Sequence, residues 1–208
     1  GEAIELPRED IGRLQVVPAQ QWSLGNYSYY FGSARLLSSI WNSVWVGLVV
    51  VAIVLPLAFM FAYGLTRTHM PGRGFFRLVA AVPVLAPSLL PAIGLVYLFG
   101  KQGLLRPLLF GADIYGPLGV VLASVFFTLP HAVLILLIAL SSADQRLYEA
   151  AEVLGASKRR TFWTVTLPGA RYGLISAGFV VFTLVLTDFG VPKVIGGTIA
   201  TLALDIYK

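Results

Sequence analysis

Between Ile40 and Leu65 the chain runs for 26 residues without one charged side chain. At about 1.5 Å per residue, a helix of that length crosses a hydrocarbon core of about 30 Å with some tilt. Backbone in hydrocarbon must satisfy its own hydrogen bonds, so the run is read as a transmembrane helix and the bilayer sets the architecture. Asn42 and Ser43 stand at its start, and Pro56 lies inside it as the place for a kink.

Three further spans are expected. The second, Phe76 to Phe99, holds Pro83, Pro87 and Pro91 at intervals of four, which puts them on one helix face and predicts a bent or locally unwound helix. Irregular backbone survives at membrane depth only against protein or a cavity, so Pro87 is a candidate for the substrate path, with a kinked packing helix as the plainer alternative. The third span covers 117–140 and contains Pro130 and His131. The fourth, 172–187, is short for a span and should extend somewhat either way. The expected fold is therefore all-α, a polytopic transmembrane helical bundle. Residues 1–39, with Trp22, Tyr27, Tyr29, Tyr30 and Phe31, read as an extracytoplasmic loop leading into a transmembrane domain over 40–208. Residues 100–116 suit a short interfacial segment.

Composition agrees: 57% of residues are hydrophobic, 12% are charged, and the mean hydropathy is +0.81, too apolar for a soluble domain. The net charge of +5 is not gathered into a basic patch with interleaved aromatics, so a nucleic-acid partner is excluded. There is no cysteine, which removes disulfides, thiol chemistry and Cys-type metal sites. His69 and His131 share no ligand spacing, so no metal is expected; His131 suits a helix contact and His69 a solvated loop. The chain opens on Gly1 with no initiator Met, basic n-region or signal-like apolar run, and reads as a truncated piece of a longer protein.

With four spans, 66–77 and 141–172 fall on one side, and 1–39, 100–116 and 188–208 on the other. The first set holds eight Lys/Arg against three Asp/Glu; the second holds seven of each. The excess of positive charge places 141–172 in the cytoplasm.

That cytoplasmic loop is the longest polar interruption after residue 40. Ser142 and Gln145 read as a capping box that starts a short helix near Ala143. Leu147, Ala150, Ala151 and Leu154 form one apolar face, with Glu149 and Glu152 opposite. Gly155 suits the left-handed turn that ends the helix. A second helix from Lys158 to about Val165 should stop at Pro168. Lys158, Arg159 and Arg160 lie where lipid phosphates of the inner leaflet would meet them more readily than a protein partner.

Glu149-Ala150-Ala151, three residues, Gly155, nine residues, then Val165-Thr166-Leu167-Pro168 resembles the EAA loop of importer-type ABC transporter permeases. Val165 alone departs from the pattern, standing where the family has Ile. The resemblance implies a bacterial inner-membrane permease whose EAA loop is a coupling helix docked in a cytoplasmic ATPase. Carried onto this chain, Glu149 is the polar contact and Ala150 and Ala151 allow close approach. Gly155 supplies the turn, and Leu167 and Pro168 anchor the return to the membrane. It further implies a second, similar permease domain, an extracytoplasmic solute-binding protein, and more spans than the four read here. The stretch Thr187–Lys208 looks similar to permeases for 2-aminoethylphosphonate and, less closely, ferric iron.

The residues set limits of their own. No Gly-rich phosphate loop is present, so ATP and Mg belong to the partner and this chain needs no cofactor. No Ser/His/Asp or carboxylate constellation points to an enzyme. Asp188 and Asn42 border the spans and join Pro87 as candidates for the substrate path, with helix-end and helix–helix hydrogen bonding as plainer roles. The alternative is an ion-gradient-driven secondary transporter or channel segment, which would use His131 or Asp188.

Overall fold

The computed structural model describes residues 34–68 and 71–206. The aromatic cluster expected at 22–31 and His69 lie outside the described residues. Among these there is no strand, and three helices are long and apolar enough to cross a membrane.

Helix α1 (Ala34–Arg67) is unbroken through Pro56 and starts before the expected Ile40, so 34–39 are helix and not loop. Its buried face is Ser39, Ser43, Val46, Val50, Val54, Ala58, Ala62 and Leu65, one residue every third or fourth position. These are mostly small side chains, which lets neighbouring backbones approach; lipid is as apolar as a core, so packing and not hydrophobicity joins helices there. Trp41, Leu48, Leu57 and Met60 face outward.

The second apolar run breaks where its prolines predict. Helix α2 (Arg73–Ala81) continues as a 3-10 turn over Val82–Leu85, and α3 (Leu89–Phe99) leaves at 100° to it. Ala86 is extended at ψ 133°, the conformation imposed on a residue before proline. Pro91 falls in the first turn of α3, where a missing N–H leaves no bond unmade. Residues 100–116 form turns and a 3-10 helix, Arg106–Leu109, and no amphipathic helix of their own.

Helix α4 (Pro117–Ser141) passes unbroken through Pro130. After it come α5 (Gln145–Val153), α6 (Lys158–Thr161), a π-helical turn over Phe162–Thr166, α7 (Leu167–Thr187), α8 (Gly190–Ile195) and α9 (Leu202–Ile206). Pro168 does not stop a helix; helical backbone runs continuously from Lys158 to Thr187. The widened π turn, in which Leu167 N donates to Phe162 O, relieves the carbonyls before a residue that has no N–H and would crowd the turn behind it. The fourth apolar helix therefore begins well before Tyr172.

Helices α1, α4 and α7 form the core of the bundle. Arg67 at the end of α1 donates to Leu140 O at the end of α4 (2.9 Å), so these two run parallel and the broken α2–α3 pair returns the chain between them. Antiparallel α7 packs on both: Gly173 against Ala139 on α4, and Gly178 against Leu55 and Val51 on α1. At the opposite end Gly116 N donates to Ile195 O (2.8 Å), and the segment through α9 folds back onto the start of α1.

Candidate functional site

Helix α5 and the turns around it form an outlying piece at the Arg67 end of the bundle. Its start is set by Asp144, whose Oδ1 accepts from Arg146 N (2.9 Å). The capping box expected from Ser142 is absent, because Ser142 is engaged as the cap of α4, its hydroxyl donating to Ile138 O (2.9 Å). The helix therefore begins at Gln145 and not near Ala143. Gly155 ends it at φ +67°, with nothing near enough to obstruct a Cβ, so the glycine is there for its backbone and not for space. Ser157 Oγ then caps α6 by accepting from Arg160 N (3.3 Å).

The orientation of α5 corrects the sequence reading. Ala151 is the buried residue of the helix, and half-buried Tyr148 lies one turn before it. Leu147, Ala150 and Leu154, grouped with Ala151 in the sequence as one apolar face, are exposed, Leu154 at 84% and its neighbour Val153 at 88%. Glu149 and Glu152 are exposed beside them. Among the described residues neither carboxylate has a hydrogen-bond or ion-pair partner. The outer surface of α5 is thus two unpaired carboxylates among uncovered apolar side chains.

What attaches α5 to the bundle is concentrated in two side chains. The Arg67 guanidinium stacks on the Tyr148 ring at 3.8 Å from its centroid. It also donates to Leu140 O (2.9 Å), one of the last carbonyls of α4, and reaches Gln145 Oε1 at 3.5 Å. A cation at that helix end meets both the unpaired carbonyl and the negative end of the helix dipole. The Tyr148 hydroxyl donates to Thr166 Oγ1 in the π turn (3.2 Å). Beside it Phe162 meets Phe59 and Tyr63 of α1 edge-on, at 6.0 and 5.6 Å. Neither Arg67 nor Tyr148 was singled out by sequence; a lone Arg closing an apolar helix, and a Tyr just before the EAA triplet, were the signals available. Leu167 is half-buried and Pro168 exposed at the start of α7.

The other candidates lie toward the opposite end. Asp188 accepts from Gly190 N (3.2 Å) and Val191 N (3.0 Å) and so caps α8. The break in the second apolar run abuts the same turn: a Cβ on Gly190 would stand 2.6 Å from Ser88 Oγ. Pro87 and Asp188 are thus on adjoining segments. Asn42 is elsewhere in the same half, donating from Nδ2 to Ala200 O (3.0 Å). Among the described residues no group of His, Cys, Asp and Glu could hold a metal ion, and His131 Nδ1 lies 3.1 Å from Phe127 O within its own helix.

Residues 28–208 match the family described as binding-protein-dependent transport system inner membrane component. The chain belongs to that permease family. Among relatives, a thiamine transport system permease protein of Brucella abortus is 30% identical, over 87% of this chain and 34% of its own length. The chloroplastic sulfate permease 2 of Chlamydomonas reinhardtii is 33% identical over 66% of this chain and 38% of its own length. A sulfate transport system permease protein of Synechococcus elongatus is 26% identical over 91% and 70%. The chain thus spans about a third of the first two of these relatives. The fold of the permease is also that of a solved amino acid ABC transporter, with a TM-score of 0.60 at 18% identity over 88% of this chain and 80% of that one. None of these names is a phosphonate or iron permease, so the subgroup suggested by Thr187–Lys208 gains no support.

Proposed function

We propose that this chain is the membrane permease part of an ATP-driven, binding-protein-dependent importer, forming the translocation path and taking its drive from a cytoplasmic ATPase docked on α5. The observation behind this reading is the outer surface of α5. It carries Glu149 and Ala150 of the EAA triplet, is turned away from the bundle, and leaves Glu149 and Glu152 unpaired among exposed Leu147, Val153 and Leu154. A surface of that kind is completed by a partner with a cationic, partly apolar cleft. In this reading Glu149 makes the polar contact and Ala150 keeps the outer face slim, while Ala151, expected to share that role, is turned to the bundle. Gly155 turns the chain away, and Leu167 with Pro168 leads back into the membrane. ATP and Mg are bound by the ATPase; a second permease domain completes the path, and a solute-binding protein delivers to the outer mouth.

The path is placed beside the break at Pro87 and the turn at Asp188, with Asn42 toward its outer end. The substrate is proposed to be a small charged solute, since relatives are named for thiamine, sulfate and spermidine/putrescine. 2-Aminoethylphosphonate belongs among the compounds to try. An ion-gradient-driven carrier is less favoured, because His131 and Asp188 both serve local helix bonds.

Co-purification of the full-length permease with its ATPase tests this. Glu149→Lys touches no internal bond, so the fold should persist while ATPase retention falls by about tenfold or more, as for reversal of a contact charge. A wild-type permease that holds no ATPase would sink the reading.

A further inference from the structure

We infer that Arg67 and Tyr148 are positioning residues that make α5 and the bundle one rigid body, so that force applied to α5 enters the membrane helices through these two side chains. The inference rests on the proposed docking of an ATPase on α5 and goes on to name how that helix is held.

Helix α5 has little else to hold it. Its connection to α4 is the short turn at Ser142–Asp144, and its exit is the left-handed turn at Gly155. Of its own side chains only Ala151 is buried, and a methyl group offers little purchase. Leu147, Val153 and Leu154 face away. Tyr148 is the one large side chain directed inward, and both its ends are engaged: the ring by Arg67, the hydroxyl by Thr166. Arg67 in turn closes α1 and binds the end of α4 through Leu140 O. Two side chains thus bring together α1, α4, α5 and the π turn that opens α7, which are the three core helices and the lever.

The chemistry suits load-bearing. A guanidinium is planar and always charged, so it stacks on a ring while its edge donates to a carbonyl; a lysine could do one or the other. Thr166 is 2% exposed, so the Tyr148–Thr166 bond is sheltered from competing water. If α5 were free to swivel on its two short turns, movement of an ATPase would be lost in the loop. The stacked pair prevents that.

These 208 residues hold no cysteine, so paired labels can be introduced within them once any cysteine elsewhere in the full permease and its ATPase has been replaced by serine. Nitroxides at Arg146→Cys on α5 and Leu48→Cys on α1, both exposed sites, report the distance between lever and bundle. The sample is the full permease with its ATPase in nanodiscs, before and after trapping with Mg-ATP and vanadate. The wild type should give one narrow distance that does not change on trapping. Arg67→Met and Tyr148→Leu should retain the ATPase on co-purification, yet broaden the distribution and shift it on trapping. Tyr148→Phe keeps the stacked ring but loses the bond to Thr166, and should fall between wild type and Tyr148→Leu. The double variant should be no worse than either single one, because the two residues act as a unit.

A narrow, unchanged distance in Arg67→Met and Tyr148→Leu overturns the inference. So does a wild-type distance that shifts on trapping, and so does loss of the ATPase from the variants alone, which would make the pair part of the dock. Failure of the wild type to bind ATPase overturns the functional reading itself and is recognised before any distance is measured.

Discussion

The ring of Phe182 on α7 rests against the bare backbone of Gly47 on α1: a Cβ added at Gly47 would stand 2.9 Å from both Cδ2 and Cε2 of the ring. The two helices cross at that point because one of them offers no side chain. Gly47→Leu should therefore push α7 off α1 and cost about 1–3 kcal/mol, the range for overfilling a packed site. Thermal unfolding of the detergent-solubilised permease reads this as a lowered midpoint. Phe182→Ala added to Gly47→Leu should recover part of the loss, since the leucine then has room; if the double variant falls further, the contact is not what sets the crossing.

At the start of α5, two polar residues separated by Ala143 have opposite duties. Asp144 caps α5, while Ser142 belongs to the end of α4. Asp144→Ala should cost about 1 kcal/mol of local helix stability through the lost cap. Ser142→Ala should leave α5 intact. Amide hydrogen exchange at Arg146 and Leu147 distinguishes the two: faster exchange in the Asp144 variant only is expected, and equal effects would restore the capping box as the start signal.

Much of this architecture was legible in the chain. Charge-free runs such as Ile40–Leu65 declare spans because nothing else uses them, and the proline trio declared its break because proline acts on its immediate neighbours. What escaped was set by tertiary context. Leu147, Ala150, Ala151 and Leu154 were read as one apolar face of α5 with the glutamates opposite, but that helix has no core to face, so Leu147, Ala150 and Leu154 point out beside Glu149 while Ala151 and Tyr148 turn in. Pro168 was read as a stop because a proline does break an α-helix; the π turn before it changes the register and lets the helix pass. Arg67 and Tyr148 are 81 residues apart in sequence and no periodicity joins them. The EAA spacing marked where the candidate site lies, yet not which side chains hold it in place.

Asp188 offers a case where structural and transport roles can be separated. Its carboxylate caps α8 through two backbone donors, and the turn it makes abuts Ser88 at the broken span. Asp188→Ala should lower the unfolding midpoint by the loss of about 1 kcal/mol, whereas Asp188→Asn, which still presents an acceptor, should keep most of it. If Asp188 also meets substrate, uptake by reconstituted permease should fall with the asparagine variant despite its retained stability. Uptake that follows stability in both variants would confine Asp188 to the cap.

The end of the bundle away from Arg67 is fastened by a three-part clasp, and its parts should not be equal. Asn42 holds Ala200 O, Ser43 Oγ accepts from Leu202 N (2.8 Å), and Asp205 accepts from both Ser39 and Arg35. The Arg35–Asp205 pair is 3.2 Å long, but the arginine side chain is 67% exposed and the aspartate only 8%. An ion pair with one solvated partner contributes between about 0 and 1 kcal/mol, while a hydrogen bond to a sheltered carboxylate contributes about 1.5–3 kcal/mol. Arg35→Ala should therefore leave the clasp nearly unchanged. Asp205→Ala should free α9 and raise amide exchange across 202–206 by about tenfold, a loss of about 1.4 kcal/mol. Raising salt should mimic Arg35→Ala and not Asp205→Ala, because screening reaches the exposed pair and not the bond to Ser39. If the two variants loosen α9 equally, the ion pair and not the hydroxyl is the fastening.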